Sequence, residues 1–283
     1  MRLIISHQTN YFYEQLALRS VQYIRMTPMT LPHQTIHNWQ VMLPKVAQMQ
    51  TDGFGNQWLT LSRHEPHNNL QIQAFGEVEI NADTLFIPDN QQVPYQIFAV
   101  PTKLTQCSEA MREFAHDALA QFLQSEDIDA QLAILKSLAK DLLDKMPYTK
   151  SVTHVGTTAE QAFAMAAGVC QDHTHVFLAL LRDKGIAARY VSGYIYEATQ
   201  AYMASHAWAE VWLAGNWYTF DISNQHFTPN CHVYIAFGRD YADAAPVRGV
   251  RTGGGDERLY SQVMVSTSPQ YIPQLNAQFA AQQ

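Results

Sequence analysis

Basic residues are scarce in this chain of 283 residues: 18 lysines and arginines face 25 aspartates and glutamates, and no run of basic side chains occurs anywhere. That balance excludes DNA, RNA and an acidic membrane surface as partners, because each demands a concentrated positive patch. Long apolar runs are missing too. The start, Met1-Arg2-Leu3-Ile4-Ile5-Ser6-His7, turns polar after three apolar residues, and no later stretch reaches the length of a signal core or a membrane span. The expectation is a cytoplasmic protein with no membrane segment. Cysteine is rare as well. Cys107, Cys170 and Cys231 are too few and too scattered for a disulfide framework, and their odd number leaves at least one free thiol. For Cys107 and Cys231, which lack chemically suggestive neighbours, the expected role is that of a small buried hydrophobe.

What remains is an ordinary globular composition, 47% hydrophobic and 15% charged, long enough for two domains and free of internal repeats. From residue 1 to about 100 the chain reads as short strands. Ser20 to Met26, His37 to Leu43, Gln57 to Arg63 and Leu70 to Ile80 are rich in β-branched, aromatic and alternating residues. Asp52-Gly53-Phe54-Gly55-Asn56 and several prolines punctuate them, so an all-β sandwich over residues 1–100 is expected. Asn90 to Thr105 reads as a linker. Helical spacing follows at Ser108 to Phe122 and at Ala130 to Met146, where Pro147 stops the run. Thr157-Thr158-Ala159-Glu160 reads as a capping box opening a short helix that Gly168 would end in a left-handed conformation. The next helix starts at or beside Cys170, buries Val176, Phe177, Leu180 and Leu181, and ends at Gly185. Strand-like runs then recur to Val265, which makes residues 101–283 a mixed α+β domain.

The richest segment is Gly168-Val169-Cys170-Gln171-Asp172-His173. A cysteine in the first helical turn faces unpaired N–H groups and the positive end of the macrodipole, which favour thiolate and could hold an oxyanion. His206 and Asp221 follow, each in a strand. If His206 to Leu213 and Asn216 to Ser223 form a hairpin around Ala214-Gly215, counting back sets His206 opposite Ser223 and Asp221 opposite Trp208. The two become diagonal neighbours on one face. A bulge at Gly215 would move Asp221 to the other face, so the pairing depends on that register. In the expected arrangement the carboxylate orients the imidazole, and the other ring nitrogen faces the thiol.

At these residues the chain resembles the transglutaminase-like superfamily, and within it the bacterial members with an N-terminal β-domain that are labelled as candidate cysteine proteases. Gly168 to Asp172 with Gly185 to Tyr194 is similar to the family's cysteine helix and following strand; His206 to Val211 and Trp217 to Asp221 resemble its histidine and aspartate strands. Gly238 to Gly249 resembles a stretch near the C-terminus of this subfamily, while Arg25-Met26-Thr27-Pro28 and Asp52 to Asn56 resemble its N-terminal domain. The resemblance implies a papain-like α+β core with Cys170 as nucleophile, His206 as general base and acid, and Asp221 as orienting carboxylate. One departure is Asp221-Ile222-Ser223-Asn224, where many relatives continue Asp-Pro-Thr. The substrate class it implies is a peptide or protein amide, with no cofactor and no metal.

Other features carry less. His173 and His175 lie two apart on a helix and point about 200° from each other, so they cannot join Cys170 around one metal; one is expected in the core and one in solvent. Asp172 reads as a dipole-stabilising residue, and Trp208, Trp212 and Trp217 as core. Gly249 to Asp256 lacks the lysine of a phosphate loop and reads as a mobile surface loop. Three functions remain open: amide hydrolysis, which is preferred because no second site for an amine is evident; amine transfer by a true transglutaminase; and a scaffold that keeps the fold without activity.

Overall fold

The computed structural model describes residues 1–198, 202–203 and 205–267. Its N-terminal strands are β1 (Arg2–Ile24), β2 (Gln34–Met42), β3 (Gln48–Thr51), β4 (Gln57–Arg63), β5 (His67–Ile80) and β6 (Ile87–Pro88). Helices α1 (Glu109–Gln124), α2 (Ile128–Lys145), α3 (Ala159–Met165) and α4 (Cys170–Asp183) follow. Then come β7 (Ala188–Ile195), β8 (Tyr202–Met203), β9 (His206–Leu213), β10 (Asn216–Phe220), β11 (His232–Gly238), the short α5 (Tyr241–Ala244), β12 (Val247–Gly253) and β13 (Glu257–Ser266). None of the described helices is long and apolar enough to cross a membrane.

The first sheet is organised by β1, a 23-residue strand that serves two layers. Its first half runs between β5 and β13; after an irregularity between Phe12 and Ala17, its second half runs between β12 and β4. Leu59 and Leu61 of β4 face Leu70, Ile72 and Ala74 of β5 in a shared core, with Ile24 and Met26 beside them. The N-terminal region is β-rich as expected, although its strands are longer than the pattern suggested. The opening twenty residues escape sequence reading because polar residues such as Gln8, Asn10, Glu14 and Gln15 interrupt any alternation. All four residues of β3 are exposed, so that strand leaves no apolar signature at all.

The expected boundary at residue 100 is corrected by the connectivity. β12 and β13, from the far end of the chain, pair with β1, whereas β6 leaves the N-terminal region to pair with β10 in the other sheet. Leu3, Ile5, Val78, Ile80, Val263 and Val265 share one buried cluster with residues of α1, α2, α3 and α4. Hydrophobic burial, not chain order, therefore joins the two parts. The glycine-rich run 249–256 is likewise not a loop. It forms most of β12 and the turn into β13, where Gly253, Gly254 and Gly255 take positive φ angles of 77°, 97° and 59°. Asn90 to Thr105 holds two short 3₁₀ turns, and Phe98 packs against Trp217 beneath the second sheet.

That second sheet has the order β11-β7-β9-β10-β6, with every described pair antiparallel. One face carries Ala207, Ala209, Val211 and Leu213 towards α4 and the helical layer. The other carries Trp208, Trp217, Tyr234 and Phe237, covered by Phe98 and the segment before it. Helix α4 is buried on all sides from Asp172 to Arg182, which corrects the amphipathic expectation and explains why its apolar run has no polar face. Arg182 is tolerated there because its guanidinium donates to the carbonyls of Phe98, Ala188 and Arg239 and to Thr105 Oγ1.

Candidate active site

Helix α4 begins at Cys170, and the means of starting it there are visible. Asp172, in the first turn, reaches back so that its Oδ2 accepts the Val169 backbone N–H at 2.8 Å and the Thr153 hydroxyl at 2.6 Å. The carboxylate thus caps the N-cap backbone N–H from one side, valine having no acceptor to return the bond, and is a dipole partner as well. Gly168 does not end α3; Ala166 does, with φ of 51°. Glycine is needed at 168 because a Cβ there would stand 2.6 Å from Asp172 Cβ and 2.9 Å from its Oδ2. The cap of α3 is also shifted by one residue from the expected box. Thr158 and Gln161 bond reciprocally, while Thr157 accepts the His154 N–H. Replacing Gly168 with alanine is expected to dislodge Asp172, lower stability by roughly 1–3 kcal/mol and slow alkylation of Cys170. Thermal unfolding and the alkylation rate check the two effects.

Leu213 pairs with Asn216 and the ladder runs without a bulge to Phe220 opposite Ala209, so the register that counting required holds as far as the strand extends. Ala214 and Gly215, at φ of 47° and 84°, make the tight primed turn that preserves it. Asp221 leaves the ladder and bridges to His226 instead, yet keeps the face of Trp217 and Thr219. The outcome is a His206 Nε2 to Asp221 Oδ2 hydrogen bond of 2.7 Å. His206 also interacts electrostatically with Cys170, and since Nε2 is committed to Asp221, Nδ1 is the nitrogen left for sulfur. Sequence reasoning named Cys170, His206 and Asp221, and the fold brings all three together.

Burial grades the three. Asp221 is wholly buried, His206 is 8% exposed and Cys170 is half-buried, so the sulfur is the most accessible member. Burial pulls the His206 pKa down, but the Asp221 charge and the Cys170 sulfur outweigh it and raise the imidazole to about 10. Burial pushes Asp221 up, and the imidazole charge and hydrogen bonds from His206 and His232 outweigh that, holding it well below the usual carboxylate range. An ion pair of imidazolium and carboxylate thus stands beside the half-buried Cys170 at the N-terminus of α4.

Two supporting residues were missed. Asn224 donates through Nδ2 to Asp221 Oδ2 at 2.9 Å and through its backbone N–H to Oδ1 at 3.2 Å. His232, fully buried on β11, places Nε2 3.1 Å from the same Oδ2. Asn224 was legible as a turn residue three positions after an aspartate; for His232, eleven residues further on and on another strand, no local signal existed. The departure from Asp-Pro-Thr is therefore occupied by working side chains, because Ser223 Oγ also bonds His173 Nδ1 at 2.8 Å. His173 and His175 are both buried, correcting the expected division between core and solvent. His173 donates Nε2–H to the Met146 carbonyl at 2.7 Å, and His175 accepts the Tyr241 N–H at 3.1 Å.

Ligand atoms of His206, Asp221 and His232 lie within 4.8 Å of one another, a donor set that zinc accepts. The grouping is accounted for by hydrogen bonds in which both Nε2 atoms carry protons, and a metal would require both to be stripped and drawn to roughly 2 Å. The residues fit a charged hydrogen-bond network better than a metal centre.

Residues 118–222, which contain Cys170, His206 and Asp221, match the model of the transglutaminase-like superfamily, and residues 3–79 match that of the bacterial transglutaminase-like N-terminal region. The chain belongs to the transglutaminase-like superfamily. This transglutaminase-like protein is 26% identical over 268 residues to an uncharacterised protein of Mycobacterium leprae, covering 90% of this chain and 94% of that one. It is 26% identical over 282 residues to an uncharacterised protein of Mycobacterium tuberculosis, covering 88% and 87% of the two chains. A crystal structure of a candidate cysteine protease from Cytophaga hutchinsonii superposes with a TM-score of 0.73 at 22% identity, over 94% of this chain and 90% of that one. The transglutaminase-like fold is thus shared along nearly the whole length.

Proposed function

We propose that this transglutaminase-like protein is a cysteine-dependent amide hydrolase. The observation that carries the reading is the 2.7 Å hydrogen bond between His206 Nε2 and Asp221 Oδ2, with His206 in electrostatic contact with Cys170 at the first turn of α4. In this mechanism the Cys170 thiolate attacks the amide carbonyl carbon, and the negative charge moves to oxygen. First-turn N–H groups of α4, that of Cys170 among them, hold the oxyanion. The His206 imidazolium gives its proton to the departing nitrogen as the C–N bond breaks, leaving a thioester on sulfur and a neutral imidazole. Water then loses a proton to His206 and attacks the thioester; the acid departs and the thiolate–imidazolium pair is restored.

Hydrolysis is preferred to amine transfer because no second site for an amine has been identified. The test is incubation with a glutamine-containing peptide, with and without a primary amine. The expected products are the acid and ammonia, or cleaved peptide, in both mixtures. Amide product formed in preference to acid would replace hydrolysis by transferase activity, and no product with any peptide, together with an unreactive Cys170, would favour a scaffold.

A further inference from the structure

Asp221 is bonded on more sides than a single imidazole requires. Its Oδ2 receives His206 at 2.7 Å, Asn224 at 2.9 Å and His232 at 3.1 Å. His232 is held in turn. Its Nδ1 faces Cys231 Sγ at 3.6 Å, and that sulfur lies at the same distance from His226 Nδ1. Its ring is 4.7 Å from the ring of Trp208, the residue two along the strand from His206. The Asp221 carboxylate is fully buried, so the protein donors packed around it help to keep it ionised and aimed.

We infer that His232 is a positioning residue of the nucleophilic site: its Nε2–H anchors Asp221 Oδ2 from a second strand and so fixes the carboxylate against which His206 is aligned. The inference rests on the acyl-transfer reading for its consequence, but its geometry stands by itself. His232 donates rather than accepts, since an ionised carboxylate offers no proton. Cys231 supports this tautomer: burial pushes its thiol up to about 12, so it stays protonated and can donate to His232 Nδ1. The arrangement is two imidazoles, His206 and His232, meeting at one carboxylate oxygen. His232 carries no charge of its own, because burial lowers its pKa and Asp221 only partly opposes this. The titratable groups around it are Asp221, His206, His226 and Cys231, with His33 interacting electrostatically from the N-terminal region.

The test uses the full chain labelled with ¹⁵N-histidine, with the His206 imidazolium followed by long-range proton–nitrogen correlation between pH 5 and 11. Glutamine at 232 places an N–H donor close to the imidazole Nε2 position; leucine removes it, and asparagine is too short to reach. In His232→Leu and His232→Asn the carboxylate loses a donor and the Asp221–His206 pair holds its proton more tightly. The His206 midpoint is expected to rise by about half a pH unit or more, and kcat on the peptide to fall roughly 10–100-fold at unchanged KM. His232→Gln is expected to titrate as the unaltered protein does and to retain kcat within about threefold. If leucine prevents folding, the asparagine and glutamine variants, two amides of similar polarity, decide the matter between them. Equal His206 midpoints in the asparagine, leucine and unaltered proteins would reduce His232 to a space-filling residue. Because the titration is read on His206 itself, failure of the unaltered protein to turn over peptide counts against the hydrolase reading and not against His232.

Discussion

Cys170→Ala leaves a folded protein whose amide hydrolysis has dropped by at least about 10³-fold, to the residue of catalysis that binding and an oxyanion hole supply without a nucleophile. The matching experiment on the intact protein is alkylation at neutral pH with peptide mapping. Burial raises the Cys107 thiol to about 11, and burial followed by the Asp221 charge raises that of Cys231 to about 12. Their thiolate fractions at pH 7 are then about 10⁻⁴ and 10⁻⁵. Cys170 instead stands at a helix N-terminus in electrostatic contact with His206. It is expected to be labelled first by at least about 10²-fold, and His206→Ala is expected to erase most of that advantage. Labelling of all three at similar rates would remove the nucleophile from the proposed mechanism.

Asp221→Asn carries the second large effect, on activity and on the pH dependence of stability together. An amide in place of the carboxylate can present its NH₂ group to His206 Nε2, favours the wrong tautomer and stabilises no cation, so kcat is expected to fall about 10³–10⁴-fold with the fold intact. The linkage has a definite sign. The folded His206 pKa of about 10 lies above its ordinary 6.5, so the stability it contributes is complete below pH 6.5 and is lost as pH rises towards 10. Asp221 is depressed, so its contribution is complete above its ordinary 3.8 and is lost as pH falls through its lower folded value. The unaltered protein is therefore expected to lose stability between about pH 6.5 and 10, and Asp221→Asn to flatten that slope. Denaturant unfolding at intervals across this range measures it. An unchanged slope would show that His206 does not draw its charge from Asp221.

The candidate site was legible because its signals are local. A glycine, a cysteine and a helix-forming run announce a thiol at a helix N-terminus, and the Ala214-Gly215 turn sets the hairpin register by backbone geometry alone. Other features are non-local, and pattern reading missed them. β12 and β13 return some 240 residues later to complete the first sheet, and the burial that draws them there depends on surfaces assembled from both ends of the chain. The sequence of helix α4 reads as amphipathic because apolar periodicity cannot show that Arg182 and two histidines find partners inside.

By itself, then, the amino-acid sequence determined the residue types of the candidate site, the helix that begins at Cys170, the strand that begins at His206 and the register that puts His206 and Asp221 on one face. Only the tertiary structure decided what surrounds Asp221. A buried carboxylate must collect donors from wherever the fold delivers them, and Asn224 and His232 arrive from a turn and a separate strand that no spacing rule connects.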